Sequence, residues 1–149
     1  MRALSRLSLT FLSAITLNAA SYKAVFDCSS DNMRYVKSRM WLIGKTMEMF
    51  KSQGDTLDAV LTIHGGCSAI TSKAYDDVVD DEDEQTAKAA QDWLKKLDKK
   101  GVRVIVCAMS LEAHDIDPKE VLPFVHISPN SYLDTIKYQN RGYALMPLK

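Results

Sequence analysis

Gly101-Val-Arg-Val-Ile-Val-Cys107 is a β-branched run behind a glycine, too short for a helix and apolar enough for a strand buried on both faces. The stretch before it is helical. Ala87, Ala90, Leu94 and Leu97 recur on one face with Trp93 beside them, and Lys95, Lys96, Lys99 and Lys100 crowd the last turns, where cations suit the helix dipole. Gly101 supplies the left-handed cap. A helix that delivers the chain into a strand buried on both faces is half of a βαβ unit.

The same alternation extends in both directions. Upstream, Tyr22-Lys-Ala-Val-Phe-Asp-Cys28 and the stretch from Asp58 to His64 read as strands. Between them Asp31 can cap a helix whose Met33, Val36, Met40, Ile43, Met47 and Phe50 form one apolar stripe, stopped by Gly54. Methionines at that spacing are core filler more often than a metal-binding surface. Downstream, Asp117-Pro-Lys-Glu120 carries a cap, a proline at the first helical position and a capping-box glutamate, and Pro123 keeps that helix short. Phe124 to Ser128 reads as a fourth strand, with His126 as a core or interface histidine. Asn130 or Ser131 then caps a helix that runs through Asn140 to Gly142, and Tyr143 to Met146 forms a fifth strand. Five strands alternating with helices predict a three-layer α/β/α sandwich around a five-stranded, mainly parallel sheet in one domain spanning 21–149. One segment breaks the pattern: Ser68 to Gln85 is a long polar loop ending in Asp80-Asp-Glu-Asp-Glu84.

Residues 1–20 follow another logic. Arg2 and Arg6 give a positive start, Leu7 to Leu17 a short apolar core, and Asn18-Ala-Ala-Ser21 a small-residue exit, the layout of a signal peptide cut near Ala20. A periplasmic or secreted protein is the expectation, not embedded in the membrane, since no later stretch is long and apolar enough to span it. Losing Arg2 and Arg6 leaves 17 basic residues against 19 acidic ones, with no clustered basic face of the kind a nucleic-acid partner requires.

Cys28, Cys67 and Cys107 each stand at the downstream end of a predicted strand or just beyond it. In an open parallel sheet the carboxyl ends of the strands line the crevice where ligands collect. The expectation is therefore that the chain gathers all three of its thiols at one rim. Three cysteines permit three pairings, and a Cys28–Cys67 staple that leaves Cys107 free is one of them.

The strand ending in His64-Gly65-Gly66, the strand Gly101-Val-Arg-Val-Ile-Val-Cys107-Ala-Met and the tail Tyr138-Gln139-Asn-Arg-Gly142-Tyr143-Ala-Leu-Met-Pro147 together resemble the DsrE/DsrF-like family, small α/β proteins of sulfur relay and sulfur oxidation. The resemblance covers nearly all of 21–149. It implies a five-stranded parallel sheet, homo-oligomers that are often trimers or hexamers and, in relay members, a persulfide on the cysteine at the position of Cys107. The chain departs from the relay pattern after that cysteine, where Ser110-Leu-Glu-Ala-His-Asp-Ile-Asp replaces a longer helix and an Arg-Gly pair. The best-known relay members are also cytoplasmic, unlike the export expected here.

Sulfur transfer is thus the leading expectation. Cys107 stands where a strand gives way to a helical segment, a setting that favours thiolate, although a cysteine there can equally close a core strand as a small hydrophobe. Cys67, behind two glycines that let backbone approach a ligand, is the resolving sulfur, with Cys28 as the alternative partner. His64 and His114 are placed to tune the site. Sulfur donor and acceptor stay unidentified. The alternative is a non-catalytic oligomeric module that binds a small ligand, a metal or a protein at the same rim. Cysteines and histidines are ligand types for zinc or copper, though no closely spaced pair marks such a site. No cofactor is expected, because the chain has neither a dinucleotide fingerprint nor a phosphate-cradling glycine loop.

Overall fold

A computed structural model describes residues 19–149, so the body of the expected leader lies outside the described residues. The chain runs β1 (Ser21–Cys28), α1 (Met33–Ser52), β2 (Thr56–Ile63), α2 (Glu84–Lys99), β3 (Arg103–Cys107), α3 (Ala108–Ala113), β4 (His126–Ser128), α4 (Ser131–Asn140) and β5 (Ala144–Leu148). All pairings are parallel, in the order β4-β3-β2-β1-β5. The fold is the α/β sandwich that the alternation predicts.

That order decides which face each helix covers. From β1 to β4 the chain steps across the sheet in one direction, so right-handed crossovers put α1 and α2 on one face; the return from β4 to β5 puts α4 on the other. The larger core lies beneath α1 and α2, where Met33, Val36, Met40 and Ile43 of α1 meet Phe26, Leu61 and Ile63 of the sheet and Leu94 and Leu97 of α2. Beneath α4 is a smaller cluster of Val25, Val60, Ile105 and Tyr138. No described crossover covers β5 on the α1 side, which leaves a groove of about 840 Å³ lined by residues that include Phe26, Tyr35, Phe50, Met146 and Leu148.

Four expectations need correction. Asn32, not Asp31, caps α1, its side chain accepting the N–H of Tyr35 at 3.0 Å. The supposed polar loop after β2 begins as a 3₁₀ helix (Gly65–Thr71) with Cys67 to Thr71 buried. It is held inside because Gln91 of α2, itself buried, donates to the carbonyls of Ser72 at 2.6 Å and Ile70 at 3.3 Å. Val78 and Val79 then pack against the core, and only the acidic stretch that leads into α2 is solvated throughout most of its length. His126 is exposed on the edge strand β4, so of the two expected roles the core one falls away; β4 starts at His126 because Phe124 and Val125 are taken up by a turn closed from Val125 N–H to the Leu122 carbonyl.

Ala20, at the expected cleavage position, is engaged on both sides. Its N–H donates to Asp55 at 2.8 Å and its carbonyl accepts from Thr56 at 2.9 Å.

Candidate functional site

Strand register sorts the residues at the carboxyl end of the sheet. Asp27 pairs with Thr62 and Thr62 with Ile105, and this row faces α4, as Ile105 does in the smaller core. The next row, Cys28, Ile63 and Val106, faces α1 and α2 and belongs to the larger core. One residue further, side chains return to the α4 face. There Cys107 pairs with Ser128, and His64, in extended backbone directly after Ile63, comes level with it.

The single shared rim of thiols is therefore overturned. Cys28 and Cys67 are both fully buried on the α1/α2 face and joined in a disulfide, with Cα atoms 6.0 Å apart. Period two separates Cys28 from Cys107, and the 3₁₀ helix carries Cys67 beneath the sheet rather than out along its rim. Cys67 is thus no free resolving thiol. Gly65 and Gly66 make their close approach to the chain's own backbone at Ser29 and Asp31, not to a ligand. His114 also falls away from the thiol: it caps the carboxyl end of α3, opposite the end that Cys107 occupies, and lines a small cleft with Asp31, Gly66 and Asp83.

Cys107 remains as the free cysteine among the described residues, 5% exposed. Burial alone would push its thiol up. Against that, the neighbouring backbone N–H groups of Ser131, Ser110 and Met109 and the Ser110 hydroxyl favour the charged form, and together they hold the thiol below its ordinary value. Two local features present these donors. The chain turns directly from β3 into α3, and Asn130 caps α4 by accepting the N–H of Tyr132 at 2.8 Å, so the cap does not take the Ser131 N–H. Ser110 also accepts the N–H of Gly65 at 3.0 Å.

Beside the thiol stands an ion pair. His64 Nε2 lies 3.3 Å from Asp27 Oδ2, and Thr62 donates to Asp27 Oδ1 at 2.7 Å. The hydrogen bond to Asp27 raises His64 above its ordinary value; burial opposes this, and the charges of Asp27 and Cys107 reinforce it. Burial pushes Asp27 up, but its bonds from His64 and Thr62 and the charges of His64 and Lys149 outweigh it, so its carboxyl sits below the usual carboxylate value. The His64 and Asp27 side chains are 23% and 18% exposed, so solvent reaches the pair.

Asp27, Thr62, Ser110, Ser131 and Lys149 are neighbours of the candidate site that no motif in the sequence marks. Only Asp27 left a trace there, as a charged residue inside an otherwise buried strand. Among the described residues, no three His, Cys, Asp or Glu side chains converge as a bound metal would require, and no helix is long and apolar enough to cross a membrane.

The chain has relatives in sequence and in structure. The model of the DsrE/DsrF-like family matches residues 23–148. An uncharacterized protein of Aquifex aeolicus (strain VF5) is 33% identical over 134 residues, 89% of this chain and 59% of that protein, so the chain spans about three fifths of that relative's length. A protein of unknown function from Methanobacterium thermoautotrophicum shares the fold with a TM-score of 0.64 at 17% identity, over 85% of this chain and 98% of its own.

Proposed function

This chain belongs to the DsrE/DsrF-like family, and on that premise we propose that it carries sulfane sulfur as a persulfide on Cys107. Membership supports the coarser statement, a role related to sulfur relay. The finer one is carried by a single observation: the one free thiol among the described residues stands at the start of α3, level with the His64–Asp27 pair, where neighbouring backbone N–H groups of α3 and α4 favour its thiolate. Such donors favour the thiolate, which is the nucleophile in sulfur exchange. A buried thiolate suits this role better than it suits attack on a large substrate. Once loaded, the terminal sulfur stands about 2 Å further out than Sγ, on the sheet face that Cys107 shares with Asp27 and His64.

The disulfide between Cys28 and Cys67 supports an exported setting, since such bonds persist in oxidising compartments. It also leaves Cys107 with no intramolecular cysteine to resolve it, so in this reading sulfur leaves to an acceptor on another molecule. Association of the chain with itself is supported by the apolar outer face of α4, where Tyr132, Leu133 and Ile136 are exposed.

Incubating the native chain with inorganic polysulfide and mapping adducts by mass spectrometry tests the proposal. One or more added sulfur atoms on Cys107, absent from C107S, is the expected result. No gain at Cys107 in protein whose thiol still alkylates there ends it.

A further inference from the structure

Resting on the persulfide reading, we propose that His64 is the acid that protonates the sulfur leaving the donor when Cys107 is loaded, that Asp27 is the positioning residue that aims it, and that the site is built for an anionic donor of the polysulfide class. The N–H groups of Met109, Ser110 and Ser131 favour charge on Sγ itself. The charge on the departing sulfur appears one bond further out, where a group beside the thiol can meet it.

His64 is placed for that task. It stands level with Cys107 on the adjacent strand, about 5 Å away at strand spacing, on the same face and within its electrostatic reach. Asp27 takes Nε2, which leaves Nδ1 to carry a proton for the site. Asp27 itself cannot swing, because Thr62 fixes its other oxygen. The charged groups that bear on His64 are Asp27 of β1, Cys107 of β3 and Lys149 beyond β5; α3 and α4 bring the uncharged Ser110 and Ser131. With the thiolate held by backbone donors, His64 and Lys149 are the cations that meet an incoming donor.

The step balances without an external oxidant. The Cys107 thiolate attacks the terminal sulfur of a polysulfide dianion, forming a new S–S bond while the donor's S–S bond breaks. The electron pair leaves with the shortened polysulfide, which takes the proton from His64 and departs as a hydropolysulfide monoanion. Cys107 is left as the persulfide anion, and solvent reprotonates His64.

The test compares two reactions of the full-length chain at Cys107: loading by inorganic polysulfide, and alkylation by iodoacetamide, whose iodide leaves without a proton. In H64Q, alkylation at about pH 9 is expected to stay within about threefold of wild type, while loading falls about 100-fold, the lower range for loss of a general acid. Wild-type loading is expected to be bell-shaped in pH, rising as the thiolate forms and falling as His64 loses its proton. D27N, close to isosteric, moves the falling limb to lower pH, because His64 then drops back toward its ordinary value. K149Q raises the polysulfide concentration needed for half-maximal rate about threefold and leaves alkylation alone. Loading at the wild-type rate in H64Q, or a D27N profile superimposable on wild type, overturns the acid role alone. Wild-type protein that alkylates at Cys107 but never gains sulfur there overturns the carrier reading and this one with it.

Discussion

Ser110 accepts the N–H of Gly65 at 3.0 Å, and the same hydroxyl is among the neighbours that lower the Cys107 thiol. One side chain thus couples the loop that carries His64 to the helix start that cradles the thiol. S110A removes both interactions at once. Losing a partly buried hydrogen bond costs about 1 kcal/mol, and the midpoint of Cys107 alkylation against pH is expected to rise because one stabiliser of the thiolate is gone. A denaturant melt and an alkylation profile read the two effects separately. S110T, which retains the hydroxyl, should recover most of the lost acidity.

Most of the fold was legible because it depends on repeating patterns. The strand preceded by Gly101, the stripe of Met33, Val36, Met40 and Ile43, and the Asp117-Pro118 start all sit where periodicity and caps place them. The site was less legible, since it depends on which face a residue takes. Cys28 and Cys107 both end strands, and only register, by way of the row Cys28, Ile63 and Val106, reveals that they point oppositely. The buried 3₁₀ helix after His64 was missed for a related reason: Gln91, which holds it, is a polar residue 19 positions from the Ser72 carbonyl it satisfies, and no local pattern announces that partnership.

The Cys28–Cys67 disulfide closes a loop across 39 residues on the face opposite the reactive thiol. Chain-entropy reasoning for a loop of that length gives about 3–4 kcal/mol of stabilisation. Native protein without reductant is expected to show one titratable thiol under denaturing conditions and three after reduction. C28S/C67S should melt at a lower temperature and still gain sulfur on Cys107. Loss of loading with the fold retained would mean that the disulfide belongs to the chemistry.

Gly66 has no room for a side chain. A Cβ there would lie 2.6 Å from the Cα and from the Cβ of Asp31, and backbone cannot withdraw as the end of a flexible side chain can. G66A is expected to cost about 2 kcal/mol, within the range for overpacking. Because His64 enters this turn, the displaced loop should also slow polysulfide loading. G54A is the control: Gly54 has a positive φ but nothing within 4 Å of an added Cβ, so the strain there is conformational and remote from Cys107.

At the amino end of the sheet, Tyr143 donates its hydroxyl hydrogen to Asp58, and that bond, with burial and the Asp58 charge, pushes its ionisation up to about 12 from an ordinary 10.0. The unfolded chain therefore releases this proton first as pH rises. Stability contributed by the bond is fully present below about pH 10 and drains away toward pH 12, since the unfolded state binds fewer protons across that window. Denaturant melts over this interval should show unfolding free energy falling with pH in wild type and a shallower fall in Y143F. Polysulfide loading of Cys107 at neutral pH should be unchanged in Y143F, because Tyr143 sits at the opposite end of the strands from the thiol. An equal slope in both proteins would place the ionisation of Tyr143 outside the folding equilibrium and leave the bond to Asp58 without energetic consequence.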